Sequence, residues 1–600
     1  MQIRRRERAF FTSRLLFIAA LIGVMSLVLL ARILYLQVQA HERYVLQSDR
    51  NTLAVLPLAP VRGKILDRQG RVLADNRLEY VLTLTPDSVA DIGETIAALR
   101  TVLPISDEDY RAFLRNRRGT HAYQAVVLRR NLNATELARF ALVKGSFPGV
   151  QIETHWQRVY PYGPSFAHVV GYVGRPDSRD LEQDPTLARS GLDQVGKSGL
   201  EAQYEDLLRG VSGVQEVEVN ARGQSVGSFE ERPARAGTDL HTTLDLDLQT
   251  AAAAAMAGHS GAVVAVDPRN GAVLAAYSAP SYDPNDFVKG LDGAQWQSLR
   301  DDPLHPLNNR FAAGNYPPGS TIKPFVALVA LRDGAIQPDE TLAGGGYFQI
   351  PGTQHRYYDW RPGGHGRQDL RAAIRDSNDV FFYQLALRLG PTRLAQGLED
   401  LGFGNSTAID LPGEARGLVP SPAWMRTRRG QSHWHTGQTV MMGIGQGYLL
   451  ATPLQLVRAT AAIAADGQLP DLHLRADRPI RTRTVEASPR HMQLVEEAMR
   501  AVVQHGTAHI LASDPHDIAG KTGTAQVRRA ERDAVGRVRK GSDSRHLRDH
   551  ALFIAYAPAS HPQIAVAVIV EHGGHGGSAA APVAQAVIDR YLDRDSTAQP

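Results

Sequence analysis

The chain has 600 residues, of which 66 are basic and 62 acidic, for a formal net charge of +4. That length supports about two to four domains with sizeable cores, and near-balanced charge without basic blocks interleaved with aromatics argues against nucleic acid as a partner. Cysteine is absent, which excludes disulfides, thiolate nucleophiles and thiolate metal ligands.

The first element in chain order is apolar. Residues 15–31 carry no charge, and after Arg32 the run resumes as Ile33-Leu-Tyr-Leu36. Read as one helix, residues 15–36 span about 33 Å, enough for a bilayer core. Arg4, Arg5, Arg6, Arg8 and Arg14 precede the run, so the positive-inside rule leaves residues 1–14 in the cytoplasm and the body outside. The run is too long for a signal-peptide core and no small-x-small cleavage site follows it, so the expectation is a single-pass anchor.

Residues 41–250 are charged and mixed, with a strand predicted around Tyr80-Val-Leu-Thr-Leu84 and helices near 94–102 and 135–142. Residues 251–592 change character. A helix over 251–257 leads into two strand-like runs, 262–266 and 272–277, joined by Asp267-Pro-Arg-Asn-Gly271, whose turn chemistry favours a hairpin. Apolar helical runs follow Ser320 and Ser377, and residues 564–570 read as a strand. Strands at both ends with helices between them predict an α/β sandwich in which the first and last strands meet in one sheet. Residues 593–600 read as a frayed tail.

The chemistry concentrates in the later part. In Tyr316-Pro-Pro-Gly-Ser-Thr-Ile-Lys-Pro-Phe325 a serine is followed three residues on by a lysine at the start of a helix, where positions i and i+3 share a face. A lysine can take a serine's proton if desolvation or a second cation lowers its pKa. Only 7 lysines stand against 59 arginines, so this pairing is expected by chance well under once. Arginine, permanently protonated, cannot replace lysine as a base. The bland alternative for these two residues alone is a capped surface helix. Asp376-Ser-Asn-Asp379 and Lys521-Thr-Gly-Thr-Ala-Gln526 follow. Ser-x-x-Lys, then Ser-x-Asn or Ser-x-Asp, then Lys-Thr-Gly, in that order, is the motif set of penicillin-binding proteins and serine β-lactamases.

The chain resembles class B penicillin-binding proteins, most closely the elongation-specific penicillin-binding protein 2 group, and the resemblance runs nearly end to end. Arg62-Gly-Lys-Ile-Leu-Asp-Arg-Gln-Gly-Arg-Val-Leu-Ala74, Arg158-Val-Tyr-Pro-Tyr-Gly163 with Gly171-Tyr-Val-Gly174, and Gly199-Leu-Glu-Ala-Gln-Tyr-Glu-Asp-Leu-Leu-Arg-Gly210 are similar to that family's three pedestal boxes. Asn309-Arg310, Tyr316-Pro-Pro-Gly319 and Met442-Gly-Ile-Gly-Gln-Gly447 fit its transpeptidase domain. There is no room for a glycan-polymerising domain before the pedestal, which sets aside the bifunctional class A type.

The resemblance implies a non-catalytic pedestal over 41–250 and a transpeptidase domain over 251–592. It implies that Ser320 attacks the penultimate D-Ala carbonyl of a stem pentapeptide, that Lys323 takes its proton, and that Ser377 relays a proton toward the leaving amine. Lys521, Thr522, Gly523 and Thr524 would form the wall that holds the substrate carboxylate, with the N–H groups of Ser320 and Thr524 as oxyanion hole. Asp379, where many relatives have asparagine, is the form expected of the elongation enzyme; its simpler reading is a cap on the following helix. β-Lactams are the expected inhibitors, and a SEDS-family glycan polymerase of the elongation complex the expected partner.

No cofactor is implied. Some relatives hold zinc near the second motif through two aspartates, a histidine and a cysteine. Asp359 and His365 match two of those positions, but Gly344 and Asn378 occupy the others, so no metal is expected. His433-Trp-His435 and His572-Gly-Gly-His575 read as solvated loops. The alternatives left open are a division-specific transpeptidase, a D,D-carboxypeptidase, a β-lactamase and a β-lactam sensor or scaffold. A β-lactamase would need a deacylating glutamate in a Glu-x-x-Leu-Asn pattern, which is absent.

Overall fold

A computed structural model of the chain describes residues 2–40, 53–118, 124–189, 192, 194–219, 225–429, 433–527 and 548–597. The first helix, α1 (Gln2–Leu34), continues through a π turn at Tyr35–Gln39. Within it Leu15–Gln39 is a 25-residue apolar stretch of mean hydropathy 2.5, none of it covered by the rest of the protein.

Among the described residues, the N-terminal unit expected to be the pedestal is built on two larger sheets and a two-stranded pair, Val173–Gly174 with Val195–Gly196. Strand β1 (Leu53–Leu58) begins a three-stranded antiparallel ribbon with β6 (Gly213–Val219) and β7 (Ser225–Arg232). The larger sheet holds β2 (Ile65–Leu66), β3 (Val72–Leu84), β4 (Val126–Arg129), β5 (Val150–Val159) and β8 (Leu240–His241), with β3 pairing along its length with β5. The strand expected at 80–84 is the last part of β3. The two expected helices are present as Ile92–Leu99, capped by Asp91, and Ala134–Val143, which opens on an Asn133–Glu136 capping box. They cover an apolar cluster that includes Leu82, Leu84, Phe113 and Phe140.

The second unit is a five-stranded antiparallel sheet in the order β10-β9-β15-β14-β13, where β9 is Ser260–Val266, β10 Val273–Ala279, β13 Ala519–Ala525, β14 His550–Ala557 and β15 Ile564–Glu571. The hairpin expected between the first two strands is present, and Gly271 sits at φ 79° in its turn, where a side chain would be strained. The first and last strands meet, Ser260 opposite Glu571 and Val266 opposite Ala565. All five strands are almost wholly buried because helices cover both faces. Helices α2 (Leu246–Ala255) and α8 (Ala581–Thr597) lie on one face, and α6 (Pro453–Ala464) and α7 (Pro489–His505) on the other. Beyond these pack α3 (Lys323–Arg332), α4 (Leu370–Arg375) and α5 (Asp379–Asp400), the last broken at Gly390 before Pro391. A small two-stranded ribbon, β11 (Leu342–Gly344) with β12 (Gly366–Gln368), lies beside α5.

Two expectations need correction. A boundary at residues 250 and 251 falls inside α2, which starts at Leu246 because Asp245 accepts from the N–H groups of Asp247 and Leu248. The tail expected over 593–600 is helical through Thr597: Arg594 Nη1 donates to both oxygens of Asp245 at 2.8 Å, which fastens the last turns of α8 to the start of α2.

Candidate active site

Three segments distant in sequence meet at the outer edge of the five-stranded sheet. The first is the turn that carries Ser320, the expected nucleophile. Tyr316 exchanges two backbone hydrogen bonds with Ala451, and Pro317-Pro318 leads into a 3-10 turn at Gly319–Ile322. Ser320 is therefore in the 3-10 turn, and α3 begins at Lys323 with Pro324 in its first turn, where the missing N–H has no intrahelical partner. From Lys323 to Leu331 every residue of α3 is buried, so the helix is a fixed core element that aims Lys323 into the site.

The Lys323 side chain is 0% exposed. Its ammonium donates to Asp379 Oδ1 at 2.7 Å, Ser377 O at 2.7 Å and Ser377 Oγ at 3.2 Å. The i, i+3 geometry suggests a direct bond to the Ser320 hydroxyl; among the described residues, the amine's hydrogen bonds run to the second motif instead. Burial, the first influence on Asp379, raises its carboxyl above the ordinary range; the Lys323 charge opposes this and the Asp359 charge reinforces it.

Asn378, and not Asp379, caps α5: its Oδ1 accepts from Phe381 N at 2.9 Å. That frees the Asp379 carboxylate, whose second oxygen accepts from Trp360 N at 3.1 Å. The helix-cap reading of Asp379 is thus replaced by a direct bond to the candidate base. Ser377 itself has φ 57°, a left-handed conformation that turns its carbonyl toward Lys323.

The third segment is β13, which ends the sheet. The Gln446 side chain donates to Thr524 O at 3.2 Å, so Thr524 presents its backbone to the open edge, away from β14. In an antiparallel ladder a residue's N–H and C=O point the same way, so the Thr524 N–H faces that edge too. Gly319, at φ 54°, passes so close that a Cβ there would stand 2.6 Å from Thr524 O. Lys521 is 0% exposed and donates to Thr522 O at 3.0 Å. Burial first, and then the Lys323 charge, push its amine well below the ordinary lysine range, while Asp379 pulls the other way. Thr522 Oγ1 is 2.5 Å from Thr507 Oγ1.

The possible zinc positions converge but do not make a zinc site. Asp359 Oδ2 accepts from the N–H groups of Asp379 and Val380, and its Oδ1 from Arg361 N, so the carboxylate closes the start of α5. His365 Nε2 is 3.2 Å from Asp359 Oδ1. The other two positions offer no anionic ligand: Gly344 has no side chain, and Asn378 spends its amide on Gln368 and Phe381. At those four positions, an Asp/His pair with no thiolate and no second carboxylate is poor in ligands for zinc.

Two family models match the chain, and this arrangement of serine, buried lysine and edge strand lies within the first of them. The penicillin-binding protein transpeptidase domain matches residues 261–589, and the penicillin-binding protein dimerisation domain matches 57–242. The chain belongs to the penicillin-binding proteins. Among curated relatives, the peptidoglycan D,D-transpeptidase MrdA of Acinetobacter baumannii is 40% identical, over 98% of this chain and 88% of its own length. The MrdA of Escherichia coli K12 is 38% identical, over 98% and 95%. The Helicobacter pylori penicillin-binding protein PBP2, solved in complex with MreC, is 32% identical with a TM-score of 0.79, covering 91% of this chain and 99% of that one. Pseudomonas aeruginosa PBP2 in complex with WCK 5153 is 35% identical with a TM-score of 0.68, covering 90% and 97%.

The fold brings together Ser320, Lys323, Ser377, Asp379 and Lys521 through Thr524. Sequence reading did not assign roles to Gln446, which holds the Thr524 carbonyl, or to Trp360, whose N–H holds Asp379. Their signals were present in Met442-Gly-Ile-Gly-Gln-Gly447 and Tyr358-Asp-Trp360, but nothing in the spacing says which neighbour each would meet.

Proposed function

We propose that Ser320 is the acylated nucleophile of a peptidoglycan D,D-transpeptidase of the elongation type, with Lys323 as its base. The observation that carries this reading is the fully buried Lys323 amine held 2.7 Å from Asp379 beside the nucleophile turn. In a dry site burial penalises both charges of an ion pair, so a proton can pass from Lys323 to Asp379, whose proton affinity is raised, leaving a neutral amine to accept the Ser320 proton. Ser320 Oγ then bonds to the penultimate D-Ala carbonyl carbon of a stem peptide, and the oxyanion is met by the Ser320 and Thr524 N–H groups. Such donors are each worth about 3 kcal/mol. Ser377 Oγ, bonded to Lys323, returns a proton to the departing D-Ala amine. A neighbouring stem-peptide amine attacks the acyl-enzyme and releases Ser320, which makes the crosslink. The low proton affinity of Lys521 reverses when a substrate carboxylate arrives, because an opposite charge favours its protonated form.

The apolar Leu15–Gln39 stretch supports a single-pass anchor in the cytoplasmic membrane, with the N-terminus inside. The neighbour solved with MreC, and another described as coordinating polymerisation and crosslinking in a peptidoglycan synthase complex, support a glycan polymerase of the SEDS family and an elongation scaffold as partners.

The test is intact-mass analysis of the full chain in detergent after exposure to a penicillin. One persistent adduct that maps to Ser320 and is lost in Ser320→Ala is expected. Drug turnover without an adduct would point to a β-lactamase and overturn the reading.

A further inference from the structure

Ser377, with its φ of 57°, occupies a conformation that costs a non-glycine residue free energy and persists only where neighbours hold it. Both of those neighbours are held by one side chain. Gln368, buried at the end of β12, donates from Nε2 to Asp376 Oδ2 at 2.6 Å, and its Oε1 accepts from Asn378 Nδ2 at 2.9 Å. We propose that Gln368 is a positioning residue for acyl transfer: its single carboxamide spans Ser377 and keeps the turn in which the Ser377 carbonyl and hydroxyl both face Lys323.

Each flank is anchored further, so the carboxamide joins two fixed points. Asp376 accepts from Arg375 Nε at 2.8 Å and Nη2 at 2.7 Å, and its carbonyl accepts from the Trp360 indole at 3.1 Å. Asn378 Oδ1 caps α5, and its Nδ2 lies over bare backbone: a Cβ on Gly344 would stand 2.5 Å from it. The carboxamide fits in one orientation. An ionised Asp376 only accepts and Asn378 Nδ2 only donates, so Gln368 must offer its nitrogen to one and its oxygen to the other. Burial alone would raise the Asp376 carboxyl, but its bond to Arg375 and the Arg375 charge leave it below the ordinary range and therefore ionised. The proposal rests on the reading of Ser320, Lys323 and Ser377 as the catalytic set.

Gln368→Glu keeps the shape and sets a carboxylate against Asp376. Asp376→Asn in that background restores a donor on each side of the new carboxylate. The full chain in detergent is acylated with a range of penicillin concentrations, read by intact mass, and melted in parallel. Gln368→Glu is expected to cut the maximal acylation rate by about 10- to 100-fold, the scale of a displaced catalytic group, with half-saturation within about 3-fold of wild type. The double variant is expected to return to within about 5-fold of the wild-type rate. An unchanged rate in Gln368→Glu, a loss confined to half-saturation, or a double variant that regains its melting temperature but not its rate overturns the proposal. A wild-type chain with no Ser320 adduct overturns the catalytic reading, and the role of Gln368 with it.

Discussion

At the scale of single residues, the charge balance of the site turns on Asp379. Its carboxylate is the only acidic group bonded to the Lys323 amine among the described residues, and burial raises its proton affinity. Below its raised pKa the carboxyl is protonated and cannot take the Lys323 proton, so acylation should fall on the acid side at a pH above that of an ordinary carboxylate. Asp379→Asn keeps the volume and an accepting oxygen but removes the ionisable carboxylate that would take the proton. The expected outcome is acylation by penicillin slower by about 10- to 100-fold, with the acid limb of its pH profile displaced from the wild-type position. Unchanged acylation would remove any specific role for the carboxylate.

At the scale of elements, the proposed oxyanion wall depends on how closely three backbones approach. Gly319 N donates to Gly445 O at 2.9 Å, and Gly445, at φ 74°, lies so near that a Cβ on it would stand 2.2 Å from Gly319 O. The loop carrying Gly445 and Gln446 thus presses the nucleophile turn against β13. Gly445→Ala must either push that turn away or strain its own backbone, at a cost of about 1–3 kcal/mol. We expect a lower melting temperature together with slower acylation. A variant that melts and acylates like wild type would show that the turn has slack. A second consequence concerns α5. Because Asn378 Oδ1 and Asp359 both serve the N–H groups of its first turn, Asp379 can sit at the helix start and still give its carboxylate to Lys323.

Across the whole molecule, the three pedestal boxes converge on one carboxylate. Glu201 Oε2 accepts from Arg62 Nε at 2.7 Å, and Oε1 accepts from Arg158 Nε at 2.7 Å and Tyr160 Oη at 3.2 Å. Glu201 and Arg158 have fully buried side chains. Removal of one partner from a buried ion network leaves uncompensated charge, which costs about 3–5 kcal/mol. Glu201→Gln should therefore lower the melting temperature of the pedestal while penicillin still acylates Ser320, because the catalytic set draws no residue from it. The two units are also fastened together. Asn285 bonds Tyr160 through N–H and C=O, and the Tyr204 hydroxyl donates to Asp410 Oδ2 at 2.6 Å. Loss of acylation at a temperature where the catalytic domain stays folded would show that the pedestal supports the site directly.

Much of this was legible in the chain itself. Ser-x-x-Lys, the second-motif serine and Lys-Thr-Gly point to the family and to the proposed roles, because only a few residue types can act as nucleophile, base and carboxylate clamp. The apolar run near the N-terminus and the strands at 262–266 and 564–570 declare their elements because local periodicity and turn chemistry set them. Tertiary structure alone decided that Lys323 bonds Asp379 and Ser377, that Asn378 takes the helix cap, that Gln368 joins both flanks of Ser377, and that three pedestal boxes share Glu201. The physical reason is that these hydrogen bonds, between groups 3 to 139 residues apart, depend on distance and orientation after packing. Spacing along the chain carries no record of either.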